Sequence, residues 1–542
     1  METDKELLWW QKDIFYNLYL RSFKDSDGDG IGDLGGVIGK LDYLRDTLGI
    51  DVLWLSGILK GPWNEYGFDA DDFTDVHPAF GGLAAFDDLL RQAHERGMKV
   101  LIDFIPNHSS DQHPWFVESR SSRDNPKRDW YVWADPRADG SPPNNWLSVF
   151  GGSSWEWDEA TGQYYLHSFL KEQPDLNWRN PEVKAAMFDV VRFWLDRGVD
   201  GFRVDAAHHI LKDALLRDNP PNLNQRTIFD RKIEAESQLH VYDREIAALH
   251  DIYREMRQVL DEYGPGQRIM VAEVHPSGWH AWTQYYGPEM DEFHFPFNNG
   301  FISAPWDART FRVLVDSIEA CLPARAWPNA HTGNFDEWRV ATRYGKQAAR
   351  TAAVLLFTLR GTPLLYYGEE IGMENLEMDW DNCIDPYGQR VGLCRDPQRS
   401  PMQWSAAPHA GFTAPETEAT WLPVHPNYAE INAAAQVDDP GSLLNLYRAL
   451  IQCHQSTPAL IVGDYLPVES GSENIYAYLR RTRDDCLLIV LNFADQILVP
   501  NLSAVNRSGE VLLSTHPDRA GTANLAALEV HPYEGLIIRV QA

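Results

Sequence analysis

The sequence has little cysteine, a deficit of positive charge and no long apolar run. Its cysteines number five in 542 residues. They are scattered and include no CxxC pair, so neither a zinc site nor a disulfide framework is predicted. No run reaches the roughly 18 apolar residues of a membrane-spanning helix. The acidic N-terminus also lacks the apolar stretch of a signal peptide, so a cytoplasmic location without a membrane partner is expected.

The charge balance excludes further partner classes. Lysine and arginine number 48 against 79 aspartates and glutamates, a formal net charge of −31. Such a surface disfavours binding to nucleic acid and to anionic membranes. A hydrophobic share of 44% is nevertheless ample for a large globular core.

Short apolar runs alternate with helical patterns along most of the chain. Eight such runs occur, at residues 13–20, 52–55, 99–105, 201–205, 268–274 and 292–295, at a run ending at 336, and at 363–367. Strands that alternate with helices form a parallel sheet, and eight repeats at this length indicate an α/β fold of the (β/α)₈ TIM-barrel type.

Three stretches depart from this rhythm. Residues 107–178 are too long for an ordinary connection and predict an inserted domain B after the third strand, over the barrel mouth. Residues 374–404 form an irregular subdomain after the eighth strand. Residues 458–542 show short strands typical of a C-terminal antiparallel β domain. The barrel then comprises residues 1–106 and 179–457.

Residues 201–205, Gly-Phe-Arg-Val-Asp, place a charged pair on one face of a buried strand. Arg203 and Asp205 point to one side and the apolar Phe202 and Val204 to the other. An arginine beside an aspartate holds it ionised. An ionised carboxylate at a strand end is what a covalent glycosyl nucleophile requires. These five residues alone are equally compatible with a structural ion pair.

Further carboxylates follow other strands. Asp103, Glu273, Asp336 and the pair at 369–370 each come near the end of a predicted strand. Active sites of such barrels lie at the carboxyl ends of the strands, so acidic groups from several strands are expected to converge there.

Four motifs carry a family resemblance. They are residues 103–108 (DFIPNH), residues 201–205 (GFRVD), Glu273 within VAEV, and residues 334–336 (NFD). In this order and spacing they resemble the signature regions of the α-amylase family, glycoside hydrolase family 13. Residues 173–177 (QPDLN) and 399–404 (RSPMQW) are similar to its oligo-1,6-glucosidase and α-glucosidase branch.

The resemblance implies a fold and a mechanism. The fold would be the barrel with domain B and a C-terminal β domain, and the reaction a double displacement with retention. Asp205 matches the nucleophile, Glu273 the general acid/base with a raised pKa, and Asp336 the third carboxylate. The first two carboxyls of a retaining enzyme lie roughly 5–5.5 Å apart. The expected substrate is a small α-glycoside, and the predicted substrate-binding residues are Glu65, Phe68, His108, Phe169, Arg203, Phe335, Arg395 and Arg399.

Three of these residues depart from the family pattern. Phe335 stands where the family has a histidine that donates to sugar hydroxyls. Glu65 replaces a shorter aspartate, and Phe68 replaces a tyrosine. Each change removes or shifts a polar contact worth about 1–3 kcal/mol. Since the three carboxylates are intact, we expect altered sugar specificity: an epimeric, deoxygenated or substituted glycosyl unit. Drift in a weakly active relative is the alternative.

An acidic loop follows the first strand. Asp25, Asp27, Asp29, the carbonyl of Ile31 and Asp33 occupy positions 1, 3, 5, 7 and 9 of a pattern similar to an EF-hand loop, although position 12 lacks its glutamate. It also resembles the metal loop of the oligo-1,6-glucosidase branch. A structural Ca²⁺ or Mg²⁺ is therefore expected, with a solvated acidic turn as the alternative.

Other functions on the same scaffold remain open. A transglycosylase or disaccharide isomerase would use the same covalent intermediate. A non-catalytic amylase-like protein, such as the heavy chain of an amino-acid transporter, would lack carboxylates and carry a membrane segment.

Overall fold

The structure, a computed structural model, describes residues 7–224, 227–228, 231–276 and 278–541. A parallel eight-stranded sheet curls into a nearly closed barrel, which confirms the predicted fold class. Its strands are β1 (Phe15–Tyr19), β2 (Val52–Ser56), β3 (Lys99–Phe104), β4 (Gly201–Val204), β5 (Ile269–Ala272), β6 (Phe295–Pro296), β7 (Asn329–His331) and β8 (Thr362–Tyr366).

Strands β6 and β7 form the two ends of the sheet order β6-β5-β4-β3-β2-β1-β8-β7. The side chain of Asn329 links them. It accepts from the amide of Asn298 at 3.1 Å and donates to the carbonyl of Pro296 at 2.6 Å. Side-chain hydrogen bonds thus connect the two strands where the barrel closes.

The seventh strand is shorter than the sequence predicts. It ends at His331, so Asp336 lies in the following loop. The Asn334 side chain accepts from the amides of Asp336 and Glu337, both at 2.9 Å. Because this side chain captures backbone donors that a longer strand would need, the chain turns before Asp336.

Helices cover the outside of the barrel. The helix Gly82–Glu95 buries Phe86, Leu89, Leu90 and Ala93, the spacing of a one-sided apolar stripe. Along the described chain, on the barrel and elsewhere, the α-helices are Trp9–Lys12, Leu20–Phe23, Leu34–Ile38, Gly82–Glu95, Pro114–Ser121, Pro181–Arg197, Leu249–Asp261, Trp279–Gln284, Gly300–Ser303, Ala308–Cys321, Val340–Tyr344, Lys346–Thr358, Pro386–Val391, Ala433–Gln436, Leu443–Ser456 and Pro458–Val462, and Tyr43–Leu48 is a π-helix.

The helix before β4 delivers the 201–205 motif to the barrel. Its first turn is capped by the side chain of Asn180, which accepts from the amide of Glu182 at 2.9 Å, and it ends at Gly198 with φ 111°. At Gly201 a Cβ atom would lie 2.5 Å from the carbonyl oxygen of Ile269. Only glycine allows β4 to approach β5 this closely.

Additional structure is attached at the mouth and at the C-terminus. The segment after β3 contains a three-stranded antiparallel sheet of Trp133–Ala134, Gln163–Leu166 and Trp155–Asp158. A strand pair of Leu59–Lys60 and Asp72–Val76 follows β2, and Thr227–Ile228 pairs with Arg231–Lys232 after β4. The C-terminal antiparallel sheet has the order Asp464–Val468, Ile475–Arg481, Cys486–Asn492, Gly535–Val540, Ser508–Ser514 and Gly521–Asn524.

Cysteine usage differs from the prediction. Cys383 and Cys394 form a disulfide, whereas Cys321, Cys453 and Cys486 are free. The spacing of this pair matches no framework pattern, and only the folding of residues 374–404 brings the two side chains together. Among the described residues, no helix combines the length and the apolar character needed to cross a bilayer.

Candidate active site

A cavity of about 400 Å³ opens at the carboxyl ends of the barrel strands. Every predicted catalytic and substrate-binding residue lines it except Arg203 and Arg399, which lie below its surface. The predicted residues in the lining are Glu65, Phe68, His108, Phe169, Asp205, Glu273, Phe335, Asp336 and Arg395.

The guanidinium group of Arg203 organises the floor of this cavity. Its Nη1 atom lies 2.6 Å from Oδ1 of Asp205, and its Nη2 atom lies 2.6 Å from Oε2 of Glu273. Asp205 follows β4 directly and Glu273 follows β5 directly. Two neighbouring strands therefore present their carboxylates side by side on one cation.

Asp103, at the end of β3, supports Arg203 from below. Its carboxylate accepts from Trp54 Nε1 at 2.9 Å, from the amide of Gly57 at 3.1 Å and from Arg203 Nη1 at 3.3 Å. It is 2% exposed and does not line the cavity. Asp103 therefore acts as a counter-charge for Arg203.

The electrostatic surroundings of Glu273 differ from the expectation of a raised pKa. Burial raises the pKa of Asp205, and Glu273 adds to this effect while Arg203 opposes it. Burial also acts to raise the pKa of Glu273, but Arg203, His275 and the amide of Ala206 outweigh it and hold this pKa below its usual range. Glu273 thus has more hydrogen-bond donors around it than Asp205, and these donors stabilise its ionised form.

The third carboxylate, Asp336, is held on the cavity wall by two arginines. Its Oδ1 atom accepts from Arg399 Nη2 at 2.9 Å and from Arg395 Nη1 at 3.1 Å. Arg399 also donates to the carbonyl of Phe335 at 2.8 Å. The site residues brought together thus include all three predicted catalytic carboxylates.

The three atypical residues form one side of the cavity. Glu65 accepts from Gln173 Nε2 at 2.7 Å and pairs with Arg395 Nη2 at 3.2 Å. His108 donates Nε2–H to the carbonyl of Phe68 at 2.8 Å, and burial lowers the pKa of His108 to about 4. At neutral pH this histidine is uncharged, and one of its two ring nitrogens is already used by the backbone.

Phe335 is packed among other aromatic rings. Its ring centroid lies 5.8 Å from those of Tyr19 and Phe68 and 6.1 Å from that of Trp54. Phe169 lies on another wall, 5.2 Å from the ring of His108. The side of Phe68 and Phe335 therefore presents apolar rings at positions where the family pattern described above has a tyrosine and a histidine.

Several lining residues were not identified from the sequence. His275 contacts Glu273 at 3.4 Å, and its position two residues after Glu273 was the available signal. Tyr387 and Arg244 also line the cavity. A second cavity of about 800 Å³ shares Arg244, His275 and three other residues with the first. Part of its wall comes from the unusually long connection between β4 and the helix Leu249–Asp261.

The acidic pair after β8 does not face the cavity. Glu370 accepts from the hydroxyls of Tyr16 at 2.9 Å and Tyr43 at 3.1 Å. Glu369 is 4% exposed, and burial raises its pKa to about 7. These carboxylates belong to the buried surroundings of β8.

The acidic loop gathers part of its predicted ligand set. Carboxylate oxygens of Asp25, Asp27 and Asp29 lie within 4.8 Å of one another. Asp33 instead accepts from the amide of Ser26 at 2.8 Å and caps the following helix by accepting from Gly36 at 2.6 Å. Ile31 donates its amide to Asp29 at 2.8 Å.

The charge of this loop fits a cation. Four carboxylates repel one another within nine residues here, with Asp25 buried and Asp27 and Asp29 exposed. In the described part of the chain, no lysine or arginine forms an ion pair with Asp25, Asp27, Asp29 or Asp33. A divalent ion would relieve this repulsion.

Glu369 generates a prediction about stability and pH. In the folded protein the pKa of Glu369 is about 7, whereas a glutamate in the unfolded chain has a pKa of 4.5. The folded protein therefore binds the proton of Glu369 more tightly than the unfolded chain does. The stabilising contribution is complete below pH 4.5 and is lost as the pH rises to about 7. As the pH rises between these values, the free energy of unfolding of Glu369→Gln should therefore increase by about 1–3 kcal/mol relative to that of the wild type. Urea unfolding measures this difference.

The control for this measurement is Glu473→Gln, which replaces an exposed glutamate. Its free energy of unfolding should change with pH as that of the wild type does. Parallel profiles for Glu369→Gln and the wild type would contradict the assignment.

Comparisons with known proteins agree with this geometry. A family model described as "Alpha amylase, catalytic domain" matches residues 17–463. An oligo-1,6-glucosidase of Parageobacillus thermoglucosidasius is 35% identical over 99% of this chain and 100% of its own. The structure of XgtA, an alpha-glucosyl transfer enzyme, superimposes with a TM-score of 0.91 at 36% identity, covering 99% of this chain and 100% of that one.

A further similar structure is the trehalulose synthase MutB from Pseudomonas mesoacidophila MX-45. Its TM-score is 0.89 at 33% identity, covering 99% of this chain and 100% of that one. The family match extends over most of the chain and the three predicted carboxylates share one cavity. The chain belongs to the α-amylase family and is a glycoside hydrolase of that family.

Proposed function

We propose that this protein is a retaining, exo-acting α-glycosidase that hydrolyses small α-glycosides by double displacement. The observation that carries the proposal is the arrangement of Asp205 and Glu273 on the two Nη atoms of Arg203, each at 2.6 Å. Because both carboxylates contact the same guanidinium, they lie close together, as the nucleophile and the acid/base of a retaining reaction must. Asp336 supplies the third carboxylate on the wall.

In the first step Asp205 attacks the anomeric carbon. The bond from this carbon to the leaving oxygen breaks as Glu273 gives that oxygen a proton, and a covalent glycosyl-enzyme forms. In the second step Glu273 takes a proton from water, which attacks the same carbon and releases Asp205. Asp336 lies where its negative charge can stabilise the positive charge that develops on the sugar ring.

Substrate binding must change the protonation of the floor. Without substrate, Glu273 is held by Arg203, His275 and the Ala206 amide, which favour its ionised form. A leaving group placed against Glu273 would compete with these donors and exclude water. Both effects raise the pKa of Glu273 toward the value that a general acid needs.

Exo action is supported by the way the cavity is walled. Phe150 and Phe169 of the segment after β3 contribute to one wall, and Tyr387 and Arg395 of residues 374–404 contribute to another. Phe150 and Tyr387 approach within 5.2 Å between ring centroids. Contact between the two walls favours a site that receives a chain end.

We further propose that the preferred glycosyl unit differs from unmodified glucose. Phe335 cannot donate a hydrogen bond, Phe68 lacks a hydroxyl, and Glu65 is engaged by Gln173 and Arg395. A sugar hydroxyl directed at the Phe68 and Phe335 rings would lose its water without gaining a partner. An epimeric, deoxygenated or substituted unit would avoid that loss.

The proposed nucleophile can be tested by Asp205→Asn. The variant should lower kcat/KM for any glycoside that the wild type hydrolyses by roughly 10³-fold or more, because an amide cannot form the glycosyl ester. Glu273→Gln should be impaired less on substrates with acidic leaving groups, which need no proton. Retention of substantial activity by Asp205→Asn would exclude this mechanism.

The sugar preference can be tested with a panel of aryl α-glycosides. The wild type should hydrolyse an α-galactoside or another non-glucose glycoside faster than the α-glucoside. Phe335→His should improve the α-glucoside selectively by about 5–100-fold, since it restores a donor worth about 1–3 kcal/mol.

The matched control is Phe335→Leu, which changes the ring packing without adding a donor. It should not improve the α-glucoside. A wild-type enzyme that strongly prefers the α-glucoside over every other sugar would refute altered specificity.

Transglycosylation or disaccharide isomerisation is the second candidate function. The observation in its favour is the cavity of about 800 Å³ that adjoins the site and could hold an acceptor sugar. The similar structures include a glucosyl transfer enzyme and a trehalulose synthase. Product analysis at high substrate concentration separates the functions: free monosaccharide indicates hydrolysis, whereas new glycosides or isomers indicate transfer.

We also propose that the acidic loop binds a structural Ca²⁺ or Mg²⁺ through Asp25, Asp27 and Asp29, with Ile31 and Asp33 completing the set after rearrangement. The ion would stabilise the connection that follows β1 and would take no part in the chemistry.

Chelation tests this proposal. Excess EDTA should lower the Tm of the wild type by about 2–4 °C, and added Ca²⁺ or Mg²⁺ should restore it. The variant Asp27→Asn/Asp29→Asn should show a smaller response to chelator. A wild-type melting curve that does not respond to either treatment would argue against a bound ion.

A further inference from the structure

A disulfide crosses the part of the chain that forms one wall of the cavity. We call residues 374–404 the strap. Cys383 and Cys394 are bonded with a sequence separation of 11, and the helix Pro386–Val391 lies between them. A Cβ atom at Gly388 would lie 2.5 Å from Cys383 Sγ and 2.7 Å from the Cα of Cys394. The helix backbone therefore packs directly on the bridge.

Hydrogen bonds beside the bridge connect the two ends of this loop. The carboxylate of Asp385 accepts hydrogen bonds from three donors of Arg395, which are its backbone amide at 2.9 Å, its Nε at 2.9 Å and its Nη2 at 2.7 Å. Asp396 accepts from the amides of Ile384 at 2.8 Å and Asp385 at 2.9 Å. The residues that follow Cys383 thus hydrogen-bond to the residues that follow Cys394, and the disulfide holds these two segments next to each other.

Arg395 connects the disulfide-linked loop to the cavity. It follows Cys394 directly, and its guanidinium contacts Asp336 at 3.1 Å and Glu65 at 3.2 Å. The ring of Tyr387, from inside the bridged loop, lies 5.0 Å from the guanidinium carbon. The position of Arg395 is therefore set from the strap side by the bridged loop.

We propose that the Cys383–Cys394 bridge is a redox-sensitive positioning device for the sugar site. With the bridge formed, Arg395 is fixed against Glu65 and Asp336, and the glycosyl unit binds tightly. With the bridge reduced, the two flanks separate and binding weakens. The inference rests on the proposed function in that it takes this cavity as the glycosyl site.

The effect should fall on binding more than on the chemical step. Asp336 keeps its contact with Arg399 at 2.9 Å, which does not depend on the bridge. Asp205 and Glu273 are held by Arg203, which belongs to β4 and not to the strap. Among the described ion pairs, Glu65 has no cationic partner other than Arg395. A shift of Arg395 should therefore displace Glu65 more than it displaces the three carboxylates of the site.

The chemistry of the switch is thiol–disulfide exchange with a dithiol. Cys383 is 5% exposed and Cys394 is half-buried, so a reagent thiolate reaches Cys394 Sγ more easily. Attack forms a mixed disulfide with Cys394 and releases Cys383 as a thiol after it takes a proton. The second reagent thiol then closes a cyclic disulfide and releases Cys394 as a thiol.

The test compares oxidised and reduced wild-type protein on the aryl α-glycoside that it hydrolyses best. Dithiothreitol should raise KM roughly tenfold while kcat changes by less than about twofold, and reoxidation should restore KM. The variant Cys383→Ser/Cys394→Ser should have the high KM without reductant and should not respond to it. Cys321→Ser/Cys453→Ser, which removes two free thiols, should respond like the wild type.

A role in positioning Arg395 requires a further result. In Arg395→Ala the reductant should cause little additional change in KM, because the positioned group is absent. An undiminished response in Arg395→Ala would overturn the proposal, as would equal KM values for the two forms when mass spectrometry verifies their thiol content. Failure of the bridge to form under oxidising glutathione would also overturn it.

Hydrogen exchange separates this inference from the proposed function. Reduction should accelerate exchange in residues 383–396 and in the peptide that contains Glu65, whether or not any glycoside is hydrolysed. Inactivity of both forms on the whole panel, with this exchange response present, would refute the glycosidase function and retain the coupling. Unchanged exchange in both segments would refute the coupling.

Discussion

The site depends on one buried cation. Arg203 lies at the centre of the barrel mouth with Asp103, Asp205 and Glu273 around it. An isolated guanidinium in this position would be strongly destabilising, and so would three isolated carboxylates. Together they form a hydrogen-bonded cluster that fixes the two floor carboxylates relative to each other. The barrel makes this possible because neighbouring parallel strands β3, β4 and β5 end at the same edge.

The pKa values of the floor carboxylates follow from the same cluster. Arg203 cannot neutralise three carboxylates equally, so the neighbouring donors and burial also influence their pKa values. In the substrate-free protein the donors around Glu273 hold its pKa below the usual range, whereas burial raises that of Asp205. The proposed mechanism needs a raised pKa at Glu273, and a leaving group placed against this residue would supply that change.

The wall of the cavity is built on a different principle from its floor. Asp336 and Glu65 come from loops, and arginines of the strap hold them in place. Loops lack the close-packed support of barrel strands, so their geometry depends on side-chain contacts such as these. The departures from the family pattern also lie here, at Glu65, Phe68 and Phe335. The floor carboxylates proposed for the chemistry and the wall residues proposed for sugar recognition thus lie on different elements of the chain.

Local sequence pattern determined the barrel, the 201–205 motif and the carboxylates that close its strands. These features depend on strand alternation and on residues close together in the chain, which can be read directly. Some features were missed because they arise between distant segments: the disulfide, the turn that ends β7 before Asp336, and the long connection that borders the second cavity. The lowered pKa of Glu273 was missed for a related reason. A pKa depends on every charge and donor around a group in three dimensions, and only the folded chain assembles those around Arg203.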